Sequence, residues 1–216
     1  MSAQAGQPRA DCALCPRLFA FRQDNQAAFP DFHNAPVPSF GPPDAALLIV
    51  GLAPGLKGAN RTGRPFTGDY AGDLLYPTLI QFGLAQGRFG RSPDDGLVLS
   101  NCRITNAVRC VPPQNKPTPA EIKTCNQFLA QEIASLPRLR AILALGAIAH
   151  GAVLSALGQR KSAFKFGHGA LHTLPNGLIL ADSYHCSRYN TNTRRLTPEM
   201  FEAVFATVSE HLSVAA

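Results

Sequence analysis

Leu47-Leu48-Ile49-Val50-Gly51-Leu52-Ala53-Pro54-Gly55 is an apolar run that stops at a glycine and turns at a proline. Four consecutive aliphatic residues without polar alternation predict a strand buried on both faces, as in a parallel sheet covered by helices on either side. Three further runs of strand length repeat the signal at Leu97–Ser100, Ala141–Leu145 and Leu178–Ala181. Segments of helical character separate them. Asp73–Phe82 carries apolar residues at helical spacing, and Ala147–Leu157 follows the third run directly. Thr118-Pro119-Ala120-Glu121 predicts an N-cap, a proline at the first helical position and a capping-box glutamate, opening a helix to about Leu136. Thr197-Pro198 opens the last helix, expected to end near His211. Strands alternating with helices define an α/β fold with a central, mostly parallel, four-stranded sheet.

Nothing in the 216 residues marks a second domain, so residues 1–216 are expected to form one. Residues 1–45 are expected to be an irregular N-terminal segment, with a proline-rich stretch from Pro30 to Pro43 wrapping the surface. Ligands of such a fold bind beyond the carboxyl ends of the strands. Gly51–Gly55, Asn101–Asn106 and Asp182–Asn190 each follow a predicted strand and are therefore expected to converge on one rim.

Twenty basic against 14 acidic residues give a formal charge of +6 and suit a polyanionic partner. The longest apolar run, Ala45–Val50, is far too short to span a bilayer, and Met1–Asp11 lacks a signal-peptide core. A soluble cytoplasmic protein with no membrane partner is the expectation. In that reducing compartment the six cysteines favour metal or cluster binding over disulfides. Cys12 and Cys15 form a C-x2-C pair, and Cys110 and Cys125 stand fourteen residues apart far downstream. Four such thiolates accept either a tetrahedral zinc or an iron–sulfur cluster, and spacing does not separate the two. Either group would be structural, because four thiolates leave no open position. Cys102 and Cys186 fit no ligand spacing and are expected to be packing residues.

The rim segments carry the chemistry. The loop after Gly51 continues through Lys57, Asn60, Arg61, Phe66 and Asp69, rich in glycine and basic side chains that can approach phosphates. It matches neither a Walker loop nor a dinucleotide fingerprint. Asn106 offers an acceptor and a donor in one plane, suited to a base edge. His185 precedes a loop with Ser187, Arg188, Tyr189, Asn190, Arg194 and Arg195, suited to phosphates and stacking. Two other functions compete on these features. A non-catalytic nucleic-acid-binding module explains the charge and the cysteines, and an α/β enzyme of a small phosphorylated metabolite explains the Gly51 loop.

Taken together, GLAPG, NRTGRPFTGDYAG, TNAVRC, HCSRYNTNTRRLTP and the cysteine frame resemble the family 5 uracil-DNA glycosylases, in order and from Cys12 to about Phe201. The resemblance implies a three-layer α/β/α fold and a [4Fe–4S] cluster on Cys12, Cys15, Cys110 and Cys125. It implies excision of uracil, and of other deaminated bases such as hypoxanthine, from double-stranded DNA by a monofunctional enzyme expected to be a monomer. Asp69 would be the catalytic carboxylate and His185 would face the carbonyl side of the base. Gly51, Ala53, Phe66 and Asn106 would form the base pocket, with Phe66 stacking on the flipped base. Lys57, Asn60, Arg61, Ser187, Arg188, Tyr189 and Asn190 would meet DNA, with Arg188 or Tyr189 as the wedge. Other branches of the superfamily place a carboxylate or amide between Gly51 and Pro54. Leu52 and Ala53 stand there in this chain, which agrees with family 5 and leaves the water to Asp69.

Overall fold

A computed structural model describes residues 6–213. The first half runs through α1 (Pro16–Ala28), β1 (Leu47–Gly51), a one-turn α2 (Ala59–Thr62), α3 (Ala71–Gln81), β2 (Ala85–Gln86), β3 (Val98–Leu99) and β4 (Cys102–Asn106). The second half runs through α4 (Pro119–Ser135), β5 (Ala141–Leu145), α5 (Ala147–Ala156), β6 (Leu171–Thr173), β7 (Ile179–Ser183), α6 (Arg188–Asn192) and α7 (Pro198–Ser213).

The central sheet has the order β4-β1-β5-β7-β6. The first four strands are mutually parallel and β6 pairs antiparallel with β7. The expected four-stranded sheet is thus five-stranded, because the short edge strand β6 contains no apolar run. Alternate residues of each strand feed two cores, as strand pleating requires. Leu47, Ile49 and Leu143 pack with α3 and α7, whereas Leu48, Val50 and Ile142 pack with α4 and α5. The result is three layers, α/β/α. No helix among the described residues is long and apolar enough to cross a membrane.

One predicted strand is displaced. Leu97–Ser100 does not enter the main sheet; Val98–Leu99 pairs with Ala85–Gln86 in a separate antiparallel ribbon. The edge strand beside β1 is Cys102–Asn106, all five residues of it buried, so this segment is a strand and not the loop expected of Asn101–Asn106. Its apolar character is interrupted by Arg103, whose guanidinium Nε donates to Glu132 of α4 at 2.8 Å. Arg109, just beyond the strand, binds the other oxygen of the same carboxylate. The two arginines and one glutamate satisfy one another inside the protein, and the charge becomes compatible with burial.

The N-terminal segment is not wholly irregular either. Pro16 opens the thirteen-residue α1, which buries only Leu18, Arg22 and Asn25 and so shows no apolar stripe. The remaining helices follow expectation. Thr118 and Glu121 form the capping box of α4, a device worth about 1 kcal/mol. The last helix starts at Pro198, as the Thr197-Pro198 pair predicts.

Candidate active site

The register of the sheet sets the site. Gly51 pairs with Asn106 across β1 and β4, and Leu145 pairs with Ser183 across β5 and β7. The carboxyl ends of four parallel strands therefore reach one rim together, with His185 two residues past the end of β7. At Gly51 the missing side chain is a geometric requirement. A Cβ there would lie 2.4 Å from Asn106 Oδ1 and 2.6 Å from Phe66 Cζ. The carboxamide and the ring thus close together over bare backbone. The Phe66 ring faces the His185 imidazole at 5.9 Å between centroids and 26° between planes. Asn106 and Phe66 meet at Gly51, and Phe66 meets His185.

Phe66 is held in place from behind. Its backbone is left-handed, with φ +53°, a conformation that a bulky residue adopts only when its surroundings impose it. Arg64 supplies much of that constraint. Its guanidinium makes two hydrogen bonds of 2.8 and 2.7 Å to Asp95 and donates through Nε to Thr67 Oγ1. It also lies over the rings of Phe40, Tyr76 and Phe89. Hydrogen bonding from Arg64 holds the Asp95 carboxyl below the usual carboxylate range. Tyr76 donates its hydroxyl to Pro65 O at 2.6 Å. Arg64, basic and within the site loop, is therefore a buried strut and no phosphate contact.

Asp69 is placed differently. It packs against Gly58, where a Cβ would sit 2.4 Å from Asp69 Oδ2. Among the described residues no cation pairs with it. Burial raises its pKa, opposed by the backbone amides of Gly72 and Ala71 at the start of α3. Its Oδ1 is buried and has no hydrogen-bond partner among the described residues. Cys186, next to His185, lies close enough for the Asp69 charge to add to the burial that pushes its thiol up. Burial also pulls the His185 pKa down to about 4, so its imidazole is neutral at pH 7.

The DNA-contact candidates separate into two groups. Lys57, Arg61, Arg188 and Tyr189 are exposed, Tyr189 most of all at 71%. Arg188 lies over the Tyr70 ring at 5.3 Å, so the residue after Asp69 meets the loop after His185. Ser187 and Asn190 are internal braces. Ser187 caps α6 by accepting from Asn190 N, and Asn190 Nδ2 donates to His185 O at 2.8 Å. Asn60 departs most from expectation. It is fully buried and donates to Asn34 Oδ1 at 2.9 Å, fastening α2 to the proline-rich strap instead of facing solvent. Ala53 packs beside Leu18, Val108, Cys110 and Cys125. Sequence reasoning missed Tyr70, Arg64 and the buried Asn34, whose partners lie far off in the chain.

On the far side of the Gly51–Gly55 loop, Cys12, Cys15, Cys110 and Cys125 line one small cavity with Leu18, Phe19, Val108 and Phe128. Burial raises Cys15 to about 11 and Cys110 to about 12, so binding a cation there displaces protons. Arg22 Nη1 donates to Cys110 Sγ at 3.5 Å and Arg109 N donates to Cys125 Sγ at 3.4 Å. Donors aimed at the sulfurs stabilise thiolates. A single tetrahedral zinc draws its sulfurs to about 3.8 Å from one another. Among the described residues no three of these thiols lie within 4.8 Å, so the cavity fits a larger group better than one ion. Cys102 and Cys186 are buried apart from it, as packing residues.

A rim at the carboxyl ends of parallel strands in a three-layer α/β/α sheet, carrying Gly51, Phe66, Asn106 and His185, is where enzymes of this architecture bind their ligands. The chain belongs to the uracil DNA glycosylase superfamily, whose family description matches residues 38–209. Its relatives include the type-5 uracil-DNA glycosylase of Thermus thermophilus, 50% identical over 88% of this chain and 89% of the relative. The type-5 enzyme of Mycobacterium bovis is 43% identical over 90% of this chain and 75% of its own. That of Pyrobaculum aerophilum is 40% identical over 90% and 86%.

Proposed function

We propose that the protein excises uracil from DNA by hydrolysing the N-glycosidic bond, initiating base excision repair and leaving an abasic site. The observation that carries this is the meeting of Phe66 with Asn106 at Gly51 and with His185, in a loop whose half-buried Asp69 keeps one oxygen without a donor. A duplex hides the bond, so the nucleotide must be extruded into the pocket first. Bond breaking then builds positive charge on the sugar and negative charge on the departing base. Asp69, as a carboxylate with one oxygen free of donors, stabilises the sugar cation and accepts a hydrogen bond from the attacking water. Neutral His185 donates to the base oxygen on which charge accumulates. The carboxamide of Asn106 pairs with an adjacent N–H and C=O. Deamination creates that lactam edge in both uracil and hypoxanthine, which supports a range extending to both.

Double-stranded DNA is the substrate in this reading, bound by a single copy of the chain. Exposed Lys57, Arg61 and Arg188 meet its backbone, and Tyr189 fills the vacated stack. Cys12, Cys15, Cys110 and Cys125 hold a [4Fe–4S] cluster that ties the N-terminal segment to the 110–125 loop and takes no part in bond cleavage. The non-catalytic alternative gives no account of the unpaired oxygen of Asp69, because an idle buried carboxylate oxygen is costly.

The deciding experiment is cleavage of a labelled duplex with one G·U mismatch, followed by alkali, with Asp69→Ala as control. A cut at the uracil in the wild type alone is expected. An intact strand despite tight binding of the duplex would overturn the reading. Anaerobic purification tests the cluster separately: visible absorption and about four irons per chain are expected, both lost in Cys12→Ser.

A further inference from the structure

Behind the sheet, on the face covered by α5, lies a side-chain cluster that the pocket does not use. His150 on α5, Asp182 on β7 and His172 on β6 present one ligand atom each, all within 4.8 Å of one another. Asp182 is fully buried and His150 is 4% exposed. His150 Nδ1 lies 2.7 Å from Asp182 Oδ1. His172 Nε2 lies 3.5 Å from Asp182 Oδ2, is itself buried and makes no hydrogen bond. A buried ring nitrogen aimed at a carboxylate without bonding to it needs a reason.

We infer that His150 Nδ1, Asp182 and His172 Nε2 form a binding site for one divalent cation of the zinc type. Two imidazoles and a carboxylate are a borderline donor set that suits zinc over magnesium or calcium. Zinc bound by nitrogen and oxygen at about 2.0–2.1 Å spaces adjacent ligand atoms roughly 3.3 Å apart. The two distances present, 2.7 and 3.5 Å, bracket that value. His150 is also oriented as metal-bound histidines are. Its Nε2 donates to Phe164 O at 3.0 Å, the outer hydrogen bond that metal-bound histidines make, and ligation would replace the hydrogen bond between Nδ1 and Asp182 Oδ1. Asp182 Oδ2 accepts from Gly167 N at 3.4 Å, so the carboxylate is held as well.

The site braces the segment between α5 and β6. Phe164 and Gly167 belong to that segment, and His168, next along it, accepts from Tyr184 N at 3.2 Å. Tyr184 precedes His185. The cation thus stiffens the outer support of the pocket without touching its contents. This inference does not depend on the base-excision reading or on the cysteine cavity.

The test is zinc alone, titrated into the full-length, anaerobically purified protein against a chromophoric chelator, with iron and zinc counted separately. One zinc per chain is expected, with a zinc-dependent rise in melting temperature. In His172→Ala the affinity should drop by more than about 100-fold and the thermal shift should vanish, while iron content stays unchanged. His172→Gln, closer in volume, provides the same comparison if the alanine variant folds poorly. Zinc held equally by wild type and both variants, or no zinc bound at all, overturns the assignment.

Discussion

Glu132 is buried and Asp69 half-buried, and the surroundings of the two carboxylates are opposite. Burial alone would raise Glu132; the charges of Arg109 and Arg103 outweigh it and leave the group below its ordinary value. Burial raises Asp69, and only backbone amides oppose it. The first carboxylate is saturated and holds α4 to β4. The second is left short of partners at the mouth of a pocket. A saturated ion cluster contributes to cohesion, whereas an unsaturated one keeps free capacity for a ligand or a transition state.

Substitution should break this contrast in opposite directions. The largest effect is expected for Glu132→Ala, which strands two buried guanidinium groups. A loss of about 3–5 kcal/mol in unfolding free energy by urea titration follows from breaking such a network. A wild-type midpoint would mean that water replaces the carboxylate and the cluster is not cohesive. Next come His185→Ala and Asp69→Asn. Each should cost about 2.7–4 kcal/mol in the transition state, roughly a hundred- to a thousandfold in single-turnover rate, with duplex binding kept. Single-turnover cleavage near the wild-type rate would remove either residue from the mechanism.

Stability should separate Asp69 from Glu132 still further. A carboxyl with a raised folded-state pKa favours folding at low pH and loses that contribution as pH rises through the raised value. Asp69→Asn should therefore be at least as stable as the wild type at pH 7, and relatively less so in acid. Chemical denaturation at several pH values reads this directly; a variant destabilised at pH 7 would contradict it. His185 has the opposite sign. Its depressed pKa gives stability above about 6.5 that is lost as pH falls toward about 4. Because burial raises Asp69, the acid limb of the rate profile should change shape in Asp69→Asn. The smallest effect is expected for Arg188→Ala. One phosphate contact fewer lowers the slope of log affinity against log salt by about 0.9. An unchanged slope would leave Arg188 as a partner of Tyr70 only.

The same two residues show what a sequence reveals. Strands β1, β5 and β7 are legible because helices cover both of their faces and each strand is or begins with an apolar run. Strand β4 is not, since Arg103 breaks its run and the glutamate that neutralises it lies 29 residues on. The ribbon strand Val98–Leu99 imitates a core strand by composition alone. Helix α1 escapes notice because its buried side includes Arg22 and Asn25. At the site, Gly51, Phe66, Asn106 and His185 are legible through their position after strands and the resemblance of their motifs. The burial of Asn60 is not, because its partner Asn34 sits in a strap with no regular structure. Which basic residues of the Gly51 loop face solvent is equally hidden: Arg61 is exposed, and three positions on Arg64 is a strut.

The spacing of the four thiols has a consequence for the order of events during synthesis. Cys15 leaves the ribosome 110 residues before Cys125. At roughly 5–20 residues per second that interval lasts about 6–20 seconds. For the first 95 residues of it, until Cys110 emerges, the N-terminal half of the proposed ligand set has no partner to close on. Loading a group that needs all four is therefore a late step, after β1 and β4 have paired and brought the 110–125 loop within reach of the waiting N-terminal pair.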